Sequence, residues 1–354
     1  MNLLNLHPVE AQATVAGWLN THGEAAYRAR QVFPRLWQRP VARWSDATDL
    51  PLALRERLDE SLPLPRPTLA TRQASADGTV KFLWDFGSGG AVESVLIPEG
   101  RRRTLCISTQ AGCAYGCVFC ATGRMGFVRH LEPWEIVAQV RELMLEDAAD
   151  RPTNVVFMGM GEPLHNWEAV DSALSILNHP SGVGLGARHI TVSTIGIVPN
   201  LVKFAARPEQ FRLALSLHAP RSDLRRRLMP VERKYPLSKV LAVLEKLPRR
   251  TTFEYVMIRD VNDGVTEAAE LAALAQPIGA LVNLLPLHPG GAPGFKPTPP
   301  DRIKEFARVV GDRGVSVTVR RSRGLDIGAA CGQLRIESDQ SRRVPPQVDT
   351  DVEE

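Results

Sequence analysis

Residues 105–120 read L-C-I-S-T-Q-A-G-C-A-Y-G-C-V-F-C, a short apolar segment of strand type followed at once by three closely spaced cysteines. Cys113, Cys117 and Cys120 have C-x3-C-x2-C spacing. Three thiolates can bind three irons of a cubane [4Fe-4S] cluster and leave the fourth iron open for chemistry. The alternatives are a zinc site with a distant fourth ligand, or a disulfide pair plus one thiol. Zinc motifs usually pair two short halves, and the sequence has no second half, so we predict the cluster.

Short apolar segments like the first one recur through residues 103–320, with helical stretches between most of them. They are L-C-I-S-T, N-V-V-F-M, H-I-T-V-S, F-R-L-A-L-S-L, F-E-Y-V-M-I, L-V-N-L-L-P and V-S-V-T-V-R. Strands that are covered on both faces have this composition. Repeated β/α units of about 30 residues indicate a parallel sheet. The sequence therefore predicts an α/β fold, and a cavity large enough for a substrate favours a partial or full (β/α) barrel.

The composition divides the chain into four parts. Residues 1–65 are predicted to form a small helical accessory domain, which ends at the breaker L-P-L-P-R-P. Residues 66–102 are predicted to form a β-hairpin extension that carries Glu93, with G-S-G-G as its turn. Residues 103–338 contain the repeated β/α units. Residues 339–354 end in an acidic segment that we expect to be disordered.

Polar residues follow the predicted strands at five successive places. These are the cysteine triad, G-M-G-E-P (159–163), Ser193 with Thr194, S-L-H (216–218) and P-L-H-P-G-G (286–291). The carboxyl ends of parallel strands meet at one edge of a barrel, so these groups are expected to share one mouth. Each is weak evidence alone, and a single histidine such as His218 is more often structural than functional.

Bulk composition limits the class of protein. The chain has 354 residues, of which 44% are hydrophobic and 23% charged, as in ordinary globular proteins. We find neither a secretory signal nor an apolar run long enough to span a membrane, so we expect a cytoplasmic protein. The net charge is only +4, but basic residues form five clusters, and this raises nucleic acid as a partner. The clusters are 101–103, 225–227, 246–250, 320–323 and 342–343.

Two of the five cysteines lie outside the triad. Cys106 is in the first predicted strand, and Cys331 lies near the end in G-A-A-C-G-Q-L. In a chain without a secretory signal, two such thiols are more often buried apolar residues than a structural disulfide. Composition alone therefore favours packing roles for both.

Nearly the whole chain resembles the RlmN/Cfr family of radical S-adenosylmethionine (SAM) RNA methyltransferases. The shared motifs are Y-R-A-R-Q-V-F, V-E-S-V-L-I-P, C-I-S-T-Q-A-G-C-A-Y-G-C-V-F-C-A-T-G, V-V-F-M-G-M-G-E-P-L, L-S-L-H-A-P, F-E-Y-V-M-I-R-D-V-N-D and G-A-A-C-G-Q-L. The triad alone indicates only a radical SAM enzyme, whereas Glu93, Cys106 and Cys331 point to this family, within which the chain most resembles the RlmN members. The barrel is then expected to be of the radical SAM type.

The resemblance implies methylation of C2 of an adenosine in RNA, using two SAM molecules per turnover. One SAM methylates Cys331, and the second is cleaved to a radical that activates this methyl group for addition to the ring. Glu93 is the implied base that removes the ring proton. Cys106 is the implied nucleophile that releases the product and leaves a transient disulfide with Cys331.

The resemblance also implies the SAM-binding residues: Gly161, Glu162, Ser193, Ser216, Leu217, His218 and His288. The family commonly has asparagine where this chain has His288, so the SAM contact at that position differs. Implied partners are 23S rRNA, tRNA or both, an electron donor such as flavodoxin or ferredoxin, and a disulfide reductant. We expect a monomer. The alternatives are a Cfr-like C8 methyltransferase and a non-catalytic iron-sulfur protein that binds RNA or the ribosome.

Overall fold

The computed structural model describes residues 1–147, 150–247, 249–288, 294–330 and 332–334. Cys331 and the predicted acidic segment 339–354 lie outside the described residues. Parts of the basic clusters at 246–250 and 342–343 and of the motif at 286–291 also lie outside them.

Helices form the N-terminal part of the chain, as the apolar spacing predicts. They are α1 (Pro8–Thr21), α2 (Ala29–Val32), α3 (Pro34–Trp37) and α4 (Leu52–Ser61). Trp37 and Trp44 fill the centre of this region at about 1% and 0% exposure. The Trp44 indole also donates to the Leu62 carbonyl oxygen at 2.7 Å, which satisfies its one polar group. The buried residues of this region belong to the same apolar core as those of the β/α units.

Within the described residues, ten of the strands form one sheet and the remaining two form a small hairpin. The strands are β1 (Thr68–Ala74), β2 (Val80–Asp85), β3 (Val92–Glu99), β4 (Arg102–Cys106), β5 (Gln110–Gly112), β6 (Phe127–His130), β7 (Asn154–Phe157), β8 (Ile190–Thr194), β9 (Arg212–Ser216), β10 (Thr251–Met257), β11 (Leu281–Pro286) and β12 (Val317–Val319). The large sheet has the order β1-β2-β3-β4-β7-β8-β9-β10-β11-β12, and β5 pairs with β6.

The large sheet has an antiparallel part and a parallel part. Strands β1 to β4 are antiparallel neighbours, and from β4 to β12 every neighbouring pair is parallel. The parallel strands alternate with helices, as expected for repeated β/α units. The helices after β4 are α5 (Ala121–Met125), α6 (Pro133–Glu146), α7 (Trp167–Asn178), α8 (Val198–Ala205), α9 (Ser222–Leu228), α10 (Leu237–Leu244), α11 (Val265–Ile278) and α12 (Pro300–Gly311).

Two features of the sheet differ from the sequence prediction. The hairpin 78–97 is extended by β1, whose seven residues are all exposed. That strand has neither a buried face nor the alternation that marks a half-buried strand, so sequence pattern does not reveal it. The strand predicted at L-C-I-S-T lies earlier, at Arg102–Cys106.

Arg141 on α6 fastens the N-terminal helices to the β/α units. Its side chain is buried, and it donates to the carbonyl oxygens of Leu36, at 3.0 Å, and of Val41. Burial lowers the pKa of Arg141 to about 10, still far above neutrality. None of the helices in the described residues is long and apolar enough to cross a membrane.

Candidate active site

The cysteine loop, residues 113–120, lies between β5 and α5. The amide of Cys113 donates to the Gly126 carbonyl oxygen at 2.8 Å, and the amide of Cys120 donates to the Cys117 oxygen at 3.1 Å. Gly112 has φ +72°, and a Cβ there would lie 1.9 Å from the Gly126 oxygen. Only glycine fits this approach, which closes the loop against the β5–β6 hairpin.

The three thiols of the cysteine loop suit an iron cluster. Burial raises the pKa of Cys113 to about 12, and it also raises the pKa values of Cys117 and Cys120. Cys113 and Cys120 raise the pKa of Cys117 further, because neighbouring thiolates repel one another. Bound iron would supply the positive charge that this group of thiolates needs. The donor set therefore fits the cluster that the spacing predicts.

Within the described residues, no three His, Cys, Asp or Glu side chains converge as ligands of one metal ion. The thiolates of a cubane cluster each bind a different iron, so their arrangement differs from that of a single-ion site.

Glu162 follows β7 and is held by the end of β8. The Thr194 hydroxyl donates to its Oε1 at 2.6 Å, and the Ile195 amide donates to its Oε2 at 3.0 Å. Burial raises the pKa of Glu162 to about 7, and these hydrogen bonds oppose the rise. Gly161 beside it has φ +94°, and a Cβ there would lie 2.5 Å from the Cβ of Gln110. These two residues thus join the ends of β7 and β8 to Gln110.

Ser193 and Ser216 come together across the ends of β8 and β9. Their hydroxyl oxygens lie 3.4 Å apart, and both side chains are partly buried. Each hydroxyl can donate and accept, so the pair suits a polar ligand. Leu217 next to them is buried, and its amide donates to the Glu254 carbonyl oxygen at 3.1 Å.

His218 is buried between the cysteine loop and β10. Its Nδ1 accepts from the Val256 amide at 3.0 Å, and its ring lies 4.7 Å from the Phe119 ring, centroid to centroid. Burial, with Arg225 nearby, lowers the pKa of His218 to about 3. The imidazole is therefore neutral at physiological pH, and its Nδ1 carries no proton. It connects the cysteine loop to the end of β10.

Arg225 corrects the interpretation of the basic cluster 225–227. Its guanidinium is fully buried and pairs with Glu232 at 2.5 Å. It also donates to the carbonyl oxygens of Ile195, at 2.7 Å, and Leu217, at 3.2 Å. Arg225 therefore ties together the ends of β8 and β9 and is not an RNA contact, whereas Arg226 and Arg227 are exposed.

Helical spacing places position 225 near the buried side of α9, which Leu224 and Leu228 define. Arg227 lies three residues after Leu224 and is exposed, so spacing alone did not distinguish Arg225 as the buried arginine.

A second group of residues lies on one face of β2, β3 and β4. Lys81 pairs with Val95 across β2–β3, and Val95 pairs with Cys106 across β3–β4. Opposite residues in antiparallel strands share a face, as do alternate residues along one strand. Lys81, Glu93, Val95 and Cys106 therefore lie on the same face, which we call the Glu93 face. Sequence analysis did not identify Lys81, whose Nζ lies 3.1 Å from Glu93 Oε1.

A small cavity of about 20 Å³ lies over the Glu93 face. Val95 and Cys106 line it from the sheet, and Arg320 contributes from beyond β12. Ala330 and Leu334, on either side of position 331, line it as well. Cys331 lies outside the described residues, but the chain that flanks it meets Cys106 at this cavity.

Hydrogen bonds hold the C-terminal segment against the turn between β1 and β2. The Ser75 hydroxyl donates to Asp326 at 2.6 Å, and the Gly324 amide donates to Asp77 at 3.0 Å. The Thr122 hydroxyl of α5 donates to the Leu334 oxygen at 2.8 Å. The antiparallel part of the sheet and the cysteine loop region thus both contact the segment that contains position 331.

Ser108 connects the Glu93 face with the β7 loop. Its hydroxyl donates to the Glu93 carbonyl oxygen at 2.5 Å and accepts from the Met160 amide at 2.8 Å. Met160 sulfur also accepts from the Glu93 amide at 3.4 Å. The Glu93 amide thus bonds to Met160 directly, and the Glu93 carbonyl oxygen is linked to Met160 through Ser108. Both backbone polar groups of Glu93 are therefore held by the G-M-G-E-P loop.

His288 is half-buried at the end of β11, and its Nε2 forms a hydrogen bond with the Ser322 hydroxyl. Burial lowers the pKa of His288, which favours the neutral ring. The bond joins the β11 end to the segment that leads to position 331.

Comparison with known proteins shows the family of this chain. Residues 107–272 match the family model of the radical SAM superfamily, and residues 1–63 match that of the ribosomal RNA large subunit methyltransferase N-terminal domain. A probable dual-specificity RNA methyltransferase RlmN from Gemmatimonas aurantiaca is 56% identical over 97% of this chain and 95% of its own length. This chain belongs to the RlmN family of radical SAM RNA methyltransferases.

Two further relatives support the family and its fold. A dual-specificity RNA methyltransferase RlmN from Anaeromyxobacter dehalogenans is 44% identical over 92% of this chain and 90% of its own. The crystal structure of a radical SAM methyltransferase from Sphaerobacter thermophilus has a TM-score of 0.87 and 42% identity, covering 95% of this chain and 99% of that one. The α/β fold of radical SAM type predicted from the sequence is confirmed. The family's cofactors are a [4Fe-4S] cluster and SAM.

Proposed function

We propose that this enzyme methylates C2 of an adenosine in 23S rRNA, tRNA or both. The observation that carries the proposal is the Glu93 face. It places the Glu93 carboxylate on the same sheet face as the Cys106 thiol, and the chain on both sides of Cys331 lines the cavity beside Cys106. A protein that used its cluster only for structure would need none of these three residues.

The cofactors are assigned to the loops at the ends of the parallel strands. Cys113, Cys117 and Cys120 would hold the cluster, and the polar groups at the ends of β7, β8, β9 and β11 would hold SAM: Gly161, Glu162, Ser193, Ser216, Leu217, His218 and His288. When bound, the two cofactors supply a carbon-centred radical, which makes reaction possible at an electron-poor ring carbon. The protein's own part is to position the ring, the proton acceptor and the two thiols.

Glu93 is proposed as the proton acceptor. The methyl carbon carried by Cys331 bonds to C2 of the ring, and the ring must then lose its C2 proton. As that C–H bond breaks, its electron pair stays in the ring and the proton goes to the Glu93 carboxylate. The adduct must also give up the one unpaired electron that radical addition leaves on the ring, and the oxidised iron-sulfur cluster would be its acceptor. The buried ion pair with Lys81, at 3.1 Å, supports an ionised carboxylate at this place.

Cys106 is proposed to release the product. Its thiolate attacks the Cys331 sulfur, so an S–S bond forms and the bond from that sulfur to the transferred carbon breaks. The electron pair goes to the carbon, which takes up a proton and becomes the methyl group. A dithiol reductant must reopen the Cys106–Cys331 disulfide in each cycle. The position of Cys106 at the cavity beside Ala330 supports this role.

RNA is proposed to bind through exposed basic side chains. Arg101 and Arg102 lie at the β3–β4 turn, and Arg226 and Arg227 lie on α9, all four exposed. Such groups neutralise phosphates and release counterions, so RNA binding is expected to weaken as salt rises. We propose that the enzyme works as a monomer in the cytoplasm, with flavodoxin or ferredoxin as electron donor.

Nucleoside mass spectrometry tests the proposed reaction. The reconstituted holoenzyme would be incubated with SAM, an electron source, and either 23S rRNA or tRNA that lacks the modification. We expect 2-methyladenosine in at least one of the two RNAs. If 8-methyladenosine forms instead, the site of methylation is wrong, and if SAM is not cleaved at all, the enzymatic function is wrong.

A further inference from the structure

Lys81 is an unusual residue for its place in the sheet. It lies inside β2 between Val80 and Phe82, and it is only 9% exposed. Lysine is almost never buried to this extent without a partner, because desolvation of its charge is costly. Its partner here is Glu93, whose Oε1 lies 3.1 Å from the Lys81 Nζ.

The strand register determines this pair. In β2–β3, Lys81 is opposite Val95, and Glu93 is opposite Leu83. Lys81 and Glu93 are therefore diagonal neighbours on one face, close enough for a long side chain to reach across. Because β2 and β3 are hydrogen-bonded to each other, the ion pair between Lys81 and Glu93 has little freedom to change its geometry.

The pair also lies beside the segment that leads to Cys331. A Cβ built at Gly328 would be 3.8 Å from the Lys81 Nζ. The ammonium group is thus located between the Glu93 face and the residues that precede Cys331. A pair that served only stability would be expected to add little, because the desolvation of two charges offsets most of their attraction.

We infer that Lys81 is a positioning residue that keeps the Glu93 carboxylate ionised and oriented to take the proton from the substrate ring. The inference rests on the proposed function of Glu93. A buried carboxylate without a cation beside it tends to take up a proton, and a protonated carboxyl cannot accept another. Fixing Oε1 also fixes the direction of the whole group, since the two oxygens share one plane.

The test compares Lys81→Met, Glu93→Gln and the double variant, all as holoenzymes with RNA. Lys81→Met should keep its iron and cleave SAM at a rate within about 2-fold of wild type, because the cysteine loop is unchanged. Methylation should fall about 100-fold, the contribution typical of a positioned base. The covalent protein–RNA species should accumulate, as in Glu93→Gln, because bond formation precedes proton removal.

The double variant separates positioning from a general structural role. If Lys81 acts through Glu93, Lys81→Met adds no further loss to Glu93→Gln, because residues that act as one unit are not additive. Lys81→Arg should recover methylation to within about 10-fold of wild type, since it restores the cation. Multiplied losses in the double variant, or wild-type methylation in Lys81→Met, would overturn the inference.

Two controls complete the design. Lys203→Met removes the lysine of an exposed ion pair with Glu168, at 3.2 Å, and should leave every measurement unchanged. Lys81→Gln replaces Lys81→Met if the latter fails to fold, and it should show the same stalled species. If the wild-type enzyme makes no methyladenosine at all, the proposed function fails. If only the Lys81 results differ from these expectations, this inference alone fails.

Discussion

The cysteine loop and the Glu93 face both place thiol groups at the candidate active site, but they are built in different ways. Cys113, Cys117 and Cys120 come from eight consecutive residues. The Glu93 face takes Lys81, Glu93 and Cys106 from three strands and lies against a segment more than 200 residues further along the chain. The first is a local site, and the second exists only through tertiary structure.

This difference predicts which changes would disrupt each region. The cysteine loop depends on three ligands and on the glycines that let it close, so loss of one ligand removes the site. The Glu93 face depends on strand register, because a slip of one residue would turn its side chains to the other face. Damage to one region should therefore leave the other largely intact, and mutations can test this separation.

The largest effect is expected from Cys117→Ala. With only two ligands the cluster should be lost, so bound iron should fall from about four per chain to nearly none. SAM cleavage should disappear with it, as measured by 5′-deoxyadenosine formation. Cys106→Ala is the matched control and should keep both iron and SAM cleavage. Full iron in Cys117→Ala would contradict the ligand assignment, and loss of iron in Cys106→Ala would contradict the separation.

The second prediction distinguishes the roles of Cys106 and Cys331. Cys106→Ala should form the covalent bond to RNA but fail to release it, since release needs a second thiol as nucleophile. The trapped species should survive a denaturing gel and map by digestion to Cys331. Cys331→Ala should give neither the trapped species nor methylated RNA. If neither variant traps RNA, the roles are wrong, and if both methylate normally, the thiols serve only packing.

The third prediction concerns Arg225 and its exposed neighbour. Arg225→Met leaves Glu232 buried without its cation, so the free energy of unfolding should fall by about 3 to 5 kcal/mol. Arg226→Met should change the same quantity by less than about 0.5 kcal/mol, and it should instead make RNA binding weaker and less dependent on salt. Urea unfolding and RNA binding over a range of salt concentrations measure both. Equal stability of the two variants would mean that the buried pair is unimportant.

The smallest effect is expected at His288, which follows β11 and bonds to Ser322. If His288 contacts SAM, His288→Ala should weaken SAM binding by about 1 to 3 kcal/mol, the cost of leaving a polar partner unsatisfied. His288→Asn should be milder, because an amide can also donate and accept. Equilibrium dialysis of SAM against the holoenzymes gives the comparison. The same affinity in all three proteins would place His288 outside the SAM site.

Features that depend on local spacing could be predicted from the order of amino acids alone. The triad gives a cluster loop because its ligands need only a short flexible segment, and the repeated apolar segments give the β/α units because strand and helix periods are local properties. The same repeats predict where the polar residues that follow the strands lie. Ser193 and Ser216 come from different repeats, yet they were expected to meet because parallel strands end at one edge.

The burial of charged residues, and the partners they contact, became visible in the folded protein alone. Arg225 and Arg226 are the same residue type in the same run, but one is fully buried and the other exposed. The partner of Lys81 depends on how β2 aligns with β3, and the strand β1 is held in place by pairing rather than by its own apolar pattern. Contacts between residues that are distant in the chain are set by register and packing, and a linear pattern of residue types carries little information on either.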